Sequence, residues 1–250
     1  MKIGAQLFTI RESCQTLQDF SESLKMISDM GYRYVQVSGT CEYSGDWLDN
    51  ELKKNGLECV LTHIKPEKLF NDLDTVIDEH NKFACKHIGL GSYAFFEENI
   101  EDCFKAFVKE YSPVIKKLTE NEKYFMYHNH AKEFIKFGGK TVLEHLAETF
   151  SKDELGFTLD TYWIQAGGGD SSEWIERLSG RIPVIHLKDY AFGPKMAVLG
   201  EGNLNFDKII TSASNAGTKY LLVEQDDCYG ENPFECLKRS YEFLKSRGFE

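Results

Sequence analysis

Eight short β-rich runs alternating with amphipathic segments, spread over 250 residues, predict a (β/α)8 barrel. Two further observations agree. Several runs are dense in Val, Ile and Leu, as strands covered on both faces are. No G-x-G-x-x-G follows the first run, as an open dinucleotide-binding sheet would need. No linker or low-complexity tract interrupts the alternation, so one domain is expected over 1–250.

The first strand is expected at Lys2–Phe8. A helix follows over Thr16–Met30, with Thr16 and Asp19 spaced as a cap and Gly31 as its stop. Tyr34–Ser38 is the second strand, and Trp47–Asn55 a short helix ended by Gly56. Glu58–His63 is the third strand, with a helix near Pro66–Phe83. His87–Gly91 is the fourth, followed by a long helix near Ile100–Glu120. The fifth strand is Tyr124–His130 and the next helix Thr141–Phe150. The sixth strand is Gly156–Asp160. Gly167-Gly168-Gly169 reads as a turn, and Asp170-Ser171-Ser172-Glu173 as the cap of a helix to Leu178. Pro183–Leu187 is the seventh strand, with a helix near Phe206–Ala216 stopped by Gly217. Tyr220–Glu224 is the eighth. Asn232-Pro233-Phe234-Glu235 opens the last helix with an N-cap and a proline at its first position.

Composition excludes some functions. Charged residues make up 28% and hydrophobic residues 42%, an ordinary soluble balance. The formal net charge of -11 argues against a nucleic-acid partner, since phosphate binding rests on Lys and Arg. The seven cysteines are scattered, with no C-x-x-C, which fits reduced thiols in the cytoplasm. Neither a signal peptide nor an apolar run of membrane-spanning length is present in the sequence, so no membrane association is expected.

The polar residues fall at the C-terminal ends of the strands, where barrels of this kind carry their chemistry. Gln6 and Gln36 lie late in strands one and two, and His63 ends strand three. His128 and His130, two residues apart, share one face of strand five, with Glu133 just beyond. Asp160 ends strand six, His186 lies near the end of strand seven, and Glu224 ends strand eight. Thr158 and Asp160, Val184 and His186, and Leu222 and Glu224 each share a face, apolar or small below and polar above. Two carboxylates and a histidine on three adjacent strands, with one group from strand five, make four ligands. Mixed oxygen and nitrogen donors suit a divalent Mn, Mg, Co, Zn or Fe ion. His80, His87 and His145 lie on helices or early strand positions and are read as structural.

The chain resembles a known family in Ile3-Gly4-Ala5-Gln6-Leu7-Phe8-Thr9-Ile10-Arg11, Tyr127-His128-Asn129-His130-Ala131-Lys132-Glu133-Phe134 and Leu159-Asp160-Thr161-Tyr162-Trp163. The resemblance continues in Gly180-Arg181-Ile182-Pro183-Val184-Ile185-His186-Leu187-Lys188-Asp189, Gly200-Glu201-Gly202 and Val223-Glu224-Gln225-Asp226. These segments are similar to the xylose isomerase-like TIM-barrel proteins, the sugar phosphate isomerases/epimerases. Within them they resemble a branch of inosose dehydratases and 3-keto-sugar-processing enzymes. The resemblance implies a divalent metal held by an acidic group after strand five, then Asp160, His186 and Glu224. Ketose epimerases place a glutamate at the strand-five end, where this chain has His128. Glu133 is therefore the expected fourth ligand, with His128 the alternative. A second departure is Gln36, where many relatives carry glutamate.

The expected activity is a metal-dependent isomerase or epimerase of a keto sugar or polyol, working through an enediolate or enolate. The alternative is a lyase or dehydratase on an inosose or 3-keto glycoside, which uses the same metal and enolate. An endonuclease IV-like repair enzyme and a non-catalytic sugar-binding subunit are the remaining readings. The net charge and ligand count speak against the first of these. His130 is the first candidate acid/base, since imidazole titrates near neutral pH, with His128 and His63 as alternatives. Lys188, two residues past His186, is expected to polarise a substrate oxygen. Gln6, His63, Trp163 and Gln225 are expected to touch a small carbohydrate substrate. Some relatives act beside a partner subunit, so homo-oligomer and partner-subunit arrangements are both open.

Overall fold

The computed structural model describes residues 1–249. Its centre is a closed barrel of eight parallel strands. They are β1 (Lys2–Gln6), β2 (Tyr34–Val37), β3 (Glu58–His63) and β4 (His87–Leu90). The circuit continues through β5 (Tyr124–His128), β6 (Leu155–Asp160), β7 (Val184–Leu187) and β8 (Tyr220–Val223), which pairs back to β1. Helices between the strands cover the outside, as the alternation predicts.

Local chemistry sets the helix ends. Thr16 accepts a hydrogen bond from the Asp19 amide at 3.1 Å, and Asp170 accepts one from Glu173 at 2.9 Å. Gly56 stops its helix in the left-handed conformation, at φ 62°. Pro233 opens the last helix, Pro233–Ser246, behind an Asn232 cap.

Five departures from the expected elements have local causes or consequences. The first strand stops at Gln6 and turns into a 3-10 segment, Leu7–Cys14. The helix expected over Pro66–Phe83 breaks at Asp72 (φ −146°, ψ 37°) into Pro66–Asn71 and Leu73–Lys82. Strand β5 ends at His128, two residues early. Asp160 caps a short helix, Thr161–Ala166, directly at the end of β6. Two small antiparallel hairpins, 136–141 and 189–197, extend from the loops after β5 and β7.

The barrel interior is layered. Val60, Leu61, Met126, Val184 and Leu222 form its apolar centre, and Tyr34, Tyr124 and Tyr220 pack against it. Two residues further along the same strands from Val184 and Leu222 come His186 and Glu224, so the apolar-below, polar-above pattern holds on β7 and β8. The same filling dictates Gly4. A Cβ there would lie 2.4 Å from Leu222 Cδ2 and 2.6 Å from the Tyr34 carbonyl oxygen. Backbone cannot yield as a side-chain tip can. Gly4→Ala is therefore expected to lower unfolding free energy by about 1–3 kcal/mol, read as a shift in urea midpoint at constant slope.

His80, on helix Leu73–Lys82, ties that helix to β3. Its Nε2 lies 2.7 Å from Thr62 Oγ1 and its Nδ1 lies 2.6 Å from the Val76 carbonyl. The Nδ1–H donates to the carbonyl, so Nε2 accepts from the hydroxyl. Burial lowers the His80 pKa to about 4. The unfolded chain takes up this proton at higher pH than the folded one. Stability from this group is complete above about pH 6.5, declines as pH falls towards 4, and is then fully lost. The loss is worth about 3 kcal/mol. His80→Gln is expected to flatten the dependence of urea midpoint on pH between these limits; an unchanged dependence would contradict it.

Candidate metal centre and substrate site

Strand register brings the chemistry together. Asp160 on β6 stands opposite His186 on β7, and His186 stands opposite Leu222, two residues before Glu224. The Glu224 amide continues the ladder by donating to the Leu187 carbonyl at 3.2 Å. His128 closes the group from β5. One donor atom from each of His128, Asp160, His186 and Glu224 lies within 4.8 Å of all the others. Within this group His186 Nδ1 is 2.9 Å from Glu224 Oε2, and His128 Nε2 is 3.4 Å from Asp160 Oδ2.

Each imidazole is oriented from behind. His128 Nδ1 lies 2.9 Å from the Gly91 carbonyl and donates to it, which leaves the Nε2 lone pair aimed at the cluster. His186 Nε2 lies 2.7 Å from Gln36 Oε1, which leaves the Nδ1 lone pair aimed at the same point. An oxygen acceptor behind an imidazole is how metal-binding histidines are held. Asp160 is fixed too: its amide donates to Asn129 Oδ1 and its Oδ1 accepts from the Trp163 amide, both at 3.0 Å. The other carboxylate oxygen, Oδ2, remains for the cluster.

Electrostatics point the same way. Lys188 is buried, with Nζ 2.9 Å from Asp160 Oδ2, 3.0 Å from Glu224 Oε2 and 3.0 Å from Asp226. Burial opposes its charge, but Asp160, Glu224 and Asp226 outweigh that and hold its pKa above the ordinary lysine value. Burial likewise opposes ionisation of Glu224, yet Lys188 and His186 bring its pKa well below normal. For Asp226 burial wins, aided by Glu224, and its pKa rises to about 6. With all three carboxylates ionised, one ammonium leaves two negative charges uncompensated. A divalent ion would supply that balance, and the residues present fit one. The carboxylates that raise the His128 pKa against burial would favour any cation there.

Glu133 stands apart from the cluster. Its Oε1 accepts from the Tyr127 hydroxyl at 2.6 Å, and its Oε2 accepts from the His130 amide at 2.7 Å. Both oxygens are thus committed to latching the loop after β5. The structure brings His128 to the place expected of Glu133, because the strand ends on the histidine while the glutamate turns back beneath it.

The expected substrate contacts and His130 each carry one buried polar atom that has no hydrogen-bond partner: Gln6 Nε2, His63 Nε2, His130 Nδ1, Trp163 Nε1 and Gln225 Oε1. Burial holds His63 well below the usual histidine pKa. Burial and the neighbouring His128 lower that of His130 to about 3, so it is neutral at physiological pH. The His130 ring lies 4.8 Å from that of His128 and 5.0 Å from that of Trp163. Lys188, expected to polarise a substrate oxygen, is engaged with carboxylates instead. Sequence reasoning passed over Asn129 and Asp226. Asp226 was findable, since it lies two residues past Glu224. Asn129 points away from the His128 face, and no spacing rule marks it. The structural histidines behave as expected: besides His80, His87 binds the Val60 carbonyl and His145 that of Phe137.

Residues 24–247 match the family described as xylose isomerase-like TIM barrel. The chain belongs to that family. No curated protein matches in sequence. Among solved structures it is similar to a sugar phosphate isomerase/epimerase from Parabacteroides distasonis. The identity is 21% over 98% of this chain and 93% of that one, with a TM-score of 0.82. It is also similar to the probable 3-DHS dehydratase AsbF from Bacillus anthracis, at 19% identity over 99% and 100% of the two chains and a TM-score of 0.77. A structure of L-ribulose 3-epimerase matches at 13% identity over 98% and 94%, with a TM-score of 0.75. At these identities the likeness establishes the fold. Among the described residues no helix is long and apolar enough to cross a membrane.

The geometry yields a direct test of the ligand set. His128→Ala is expected to weaken Mn or Zn binding by about 100-fold, and Gln36→Leu by about tenfold. Glu133→Gln should leave affinity within about threefold while losing stability. Isothermal titration of the metal-stripped proteins measures all three. Loss of affinity in Glu133→Gln with retention in His128→Ala would reverse the assignment.

Proposed function

We propose that this protein is a divalent-metal-dependent sugar isomerase or epimerase that removes a proton α to the carbonyl of a keto sugar or polyol. The observation that carries this reading is the convergence of two inward-facing imidazole lone pairs with two carboxylates at the barrel mouth. A divalent ion in that group would act as a Lewis acid on the carbonyl and stabilise the charge of an enediolate. His128, Asp160, His186 and Glu224 would hold it. Gln36, Gly91 and Asn129 keep these donors in place. Lys188 offsets part of the buried negative charge.

His130 offers its bare Nδ1 as a proton acceptor beside Trp163. With its pKa near 3, His130 does not titrate near neutral pH as expected, and Asp226, with its pKa near 6, is the group able to exchange a proton there. Gln6, His63, Trp163 and Gln225 present unpartnered polar atoms to the hydroxyl groups of a sugar. All seven cysteines are free, which supports the expected cytoplasmic setting.

A second reading, a lyase or dehydratase acting through the same enolate, is favoured by one observation. The group that β5 brings to the cluster is an imidazole, so the two opposed carboxylates of a ketose epimerase are missing. Product mass separates the two. Keto sugars incubated with enzyme and Mn in deuterium oxide are expected to give an isobaric sugar carrying deuterium at carbon. Loss of water or of an aglycone would select the second reading. Glu224→Gln should slow exchange by about 100-fold or more. Exchange that survives this substitution and full chelation would sink both.

A further inference from the structure

A cavity of about 160 Å³ opens between the loop after β2 and the two helices after β3. Its lining includes His63, Val37 and Ser38 together with Thr40, Cys41, Tyr43 and Thr75. His63 therefore belongs both to the cavity lining and to the surroundings of the cluster. On one side its ring lies 5.3 Å from that of His128 and 5.9 Å from that of His186. On the other it faces the cavity. Ser38 Oγ lies 3.5 Å from its Nδ1, and its Nε2 is buried without a partner.

We propose that this cavity is a subsite for a neutral, ring-sized substituent carried by the sugar, such as an aglycone or a second sugar ring. The inference rests on the keto-sugar reading of the metal centre and adds what lies beyond the reacting ring. Size supports it, since an apolar cavity of about 150 Å³ accepts benzene. Charge selects the class. Lys65 and Lys68 on the rim both pair with Glu42, and Glu79 and Asp72 add two more carboxylates. Two lysines against three carboxylates disfavour a phosphate or carboxylate group. Val76, Ile64, Phe83 and Tyr43 give the walls apolar area to cover a ring. A substrate whose reacting carbons sit over the His128–Asp160–His186–Glu224 group would pass His63 with its substituent.

Binding without turnover tests this. Methyl β-D-glucopyranoside and phenyl β-D-glucopyranoside are titrated calorimetrically into the full chain in excess EDTA. The phenyl glycoside is expected to bind about tenfold tighter. Thr75, exposed on the helix outer wall, tolerates a larger side chain. Thr75→Trp should abolish the phenyl advantage and leave methyl glycoside affinity within about twofold, whereas Thr75→Ser should preserve it. Equal affinities in the wild type, absence of phenyl glycoside binding, or an advantage that survives Thr75→Trp would overturn the proposal. Deuterium exchange is not read here, so failure of the proposed activity and failure of this subsite are distinguishable.

Discussion

Burying Asp160 and Glu224 together, with His186 between them, is the constraint around which the mouth of this barrel is built. Like charges brought out of water repel strongly and lose their hydration. Such a pair persists only where cations and hydrogen-bond donors are fixed around it. Lys188 supplies one positive charge, shared among Asp160, Glu224 and Asp226. The Trp163 amide and the Asn129 side chain pin Asp160 from its other side. What remains is a pair of imidazole lone pairs and two carboxylate oxygens that share a single ammonium. A site of this kind is costly to fold around unless something cationic repays it.

The barrel beneath makes that cost bearable. Adjacent strands β6, β7 and β8 deliver Asp160, His186 and Glu224 at or beside their ends by register alone, without a flexible loop. The tight fit of Leu222 against Gly4 and the ring of Tyr34, Tyr124 and Tyr220 below hold the register. A shift by one residue would turn Asp160, His186 or Glu224 to the opposite face of its strand. Packing inside the barrel and chemistry at its mouth are therefore one problem: filled lower layers keep the upper one from relaxing its charges apart.

How much of this was legible in the sequence follows from the range of each interaction. The eight strands were legible because period and composition are local signals. The break at Asp72 and the hairpins were not, because they answer to tertiary packing and not to any run of residues. At the site, Asp160, His186 and Glu224 could be read from their places at strand ends. Glu133 could not be told from His128 by position. The difference lies in a hydrogen bond from Tyr127 across the turn and in the residue on which β5 stops. Gln36 looked like a lost catalytic carboxylate. In three dimensions it faces His186 across the barrel, 150 positions away in sequence, and sets which nitrogen carries the proton.

That exchange of roles on β5 has a chemical consequence. A carboxylate in place of His128 would add a third negative charge to the cluster and a hard oxygen donor. The imidazole adds neither. It makes the donor set two nitrogens and two oxygens, better matched to Mn, Fe, Co or Zn than to Mg, which prefers oxygen throughout. It also removes from β5 the group that would take a proton opposite Glu224. On that side stands His130, whose buried Nδ1 has no hydrogen-bond partner and whose pKa burial lowers to about 3. The Glu133 latch gains its purpose here. By holding the His130 amide and the Tyr127 hydroxyl, it fixes the loop on which His130 stands, so the acidic residue of this stretch positions an imidazole and does not join the cluster.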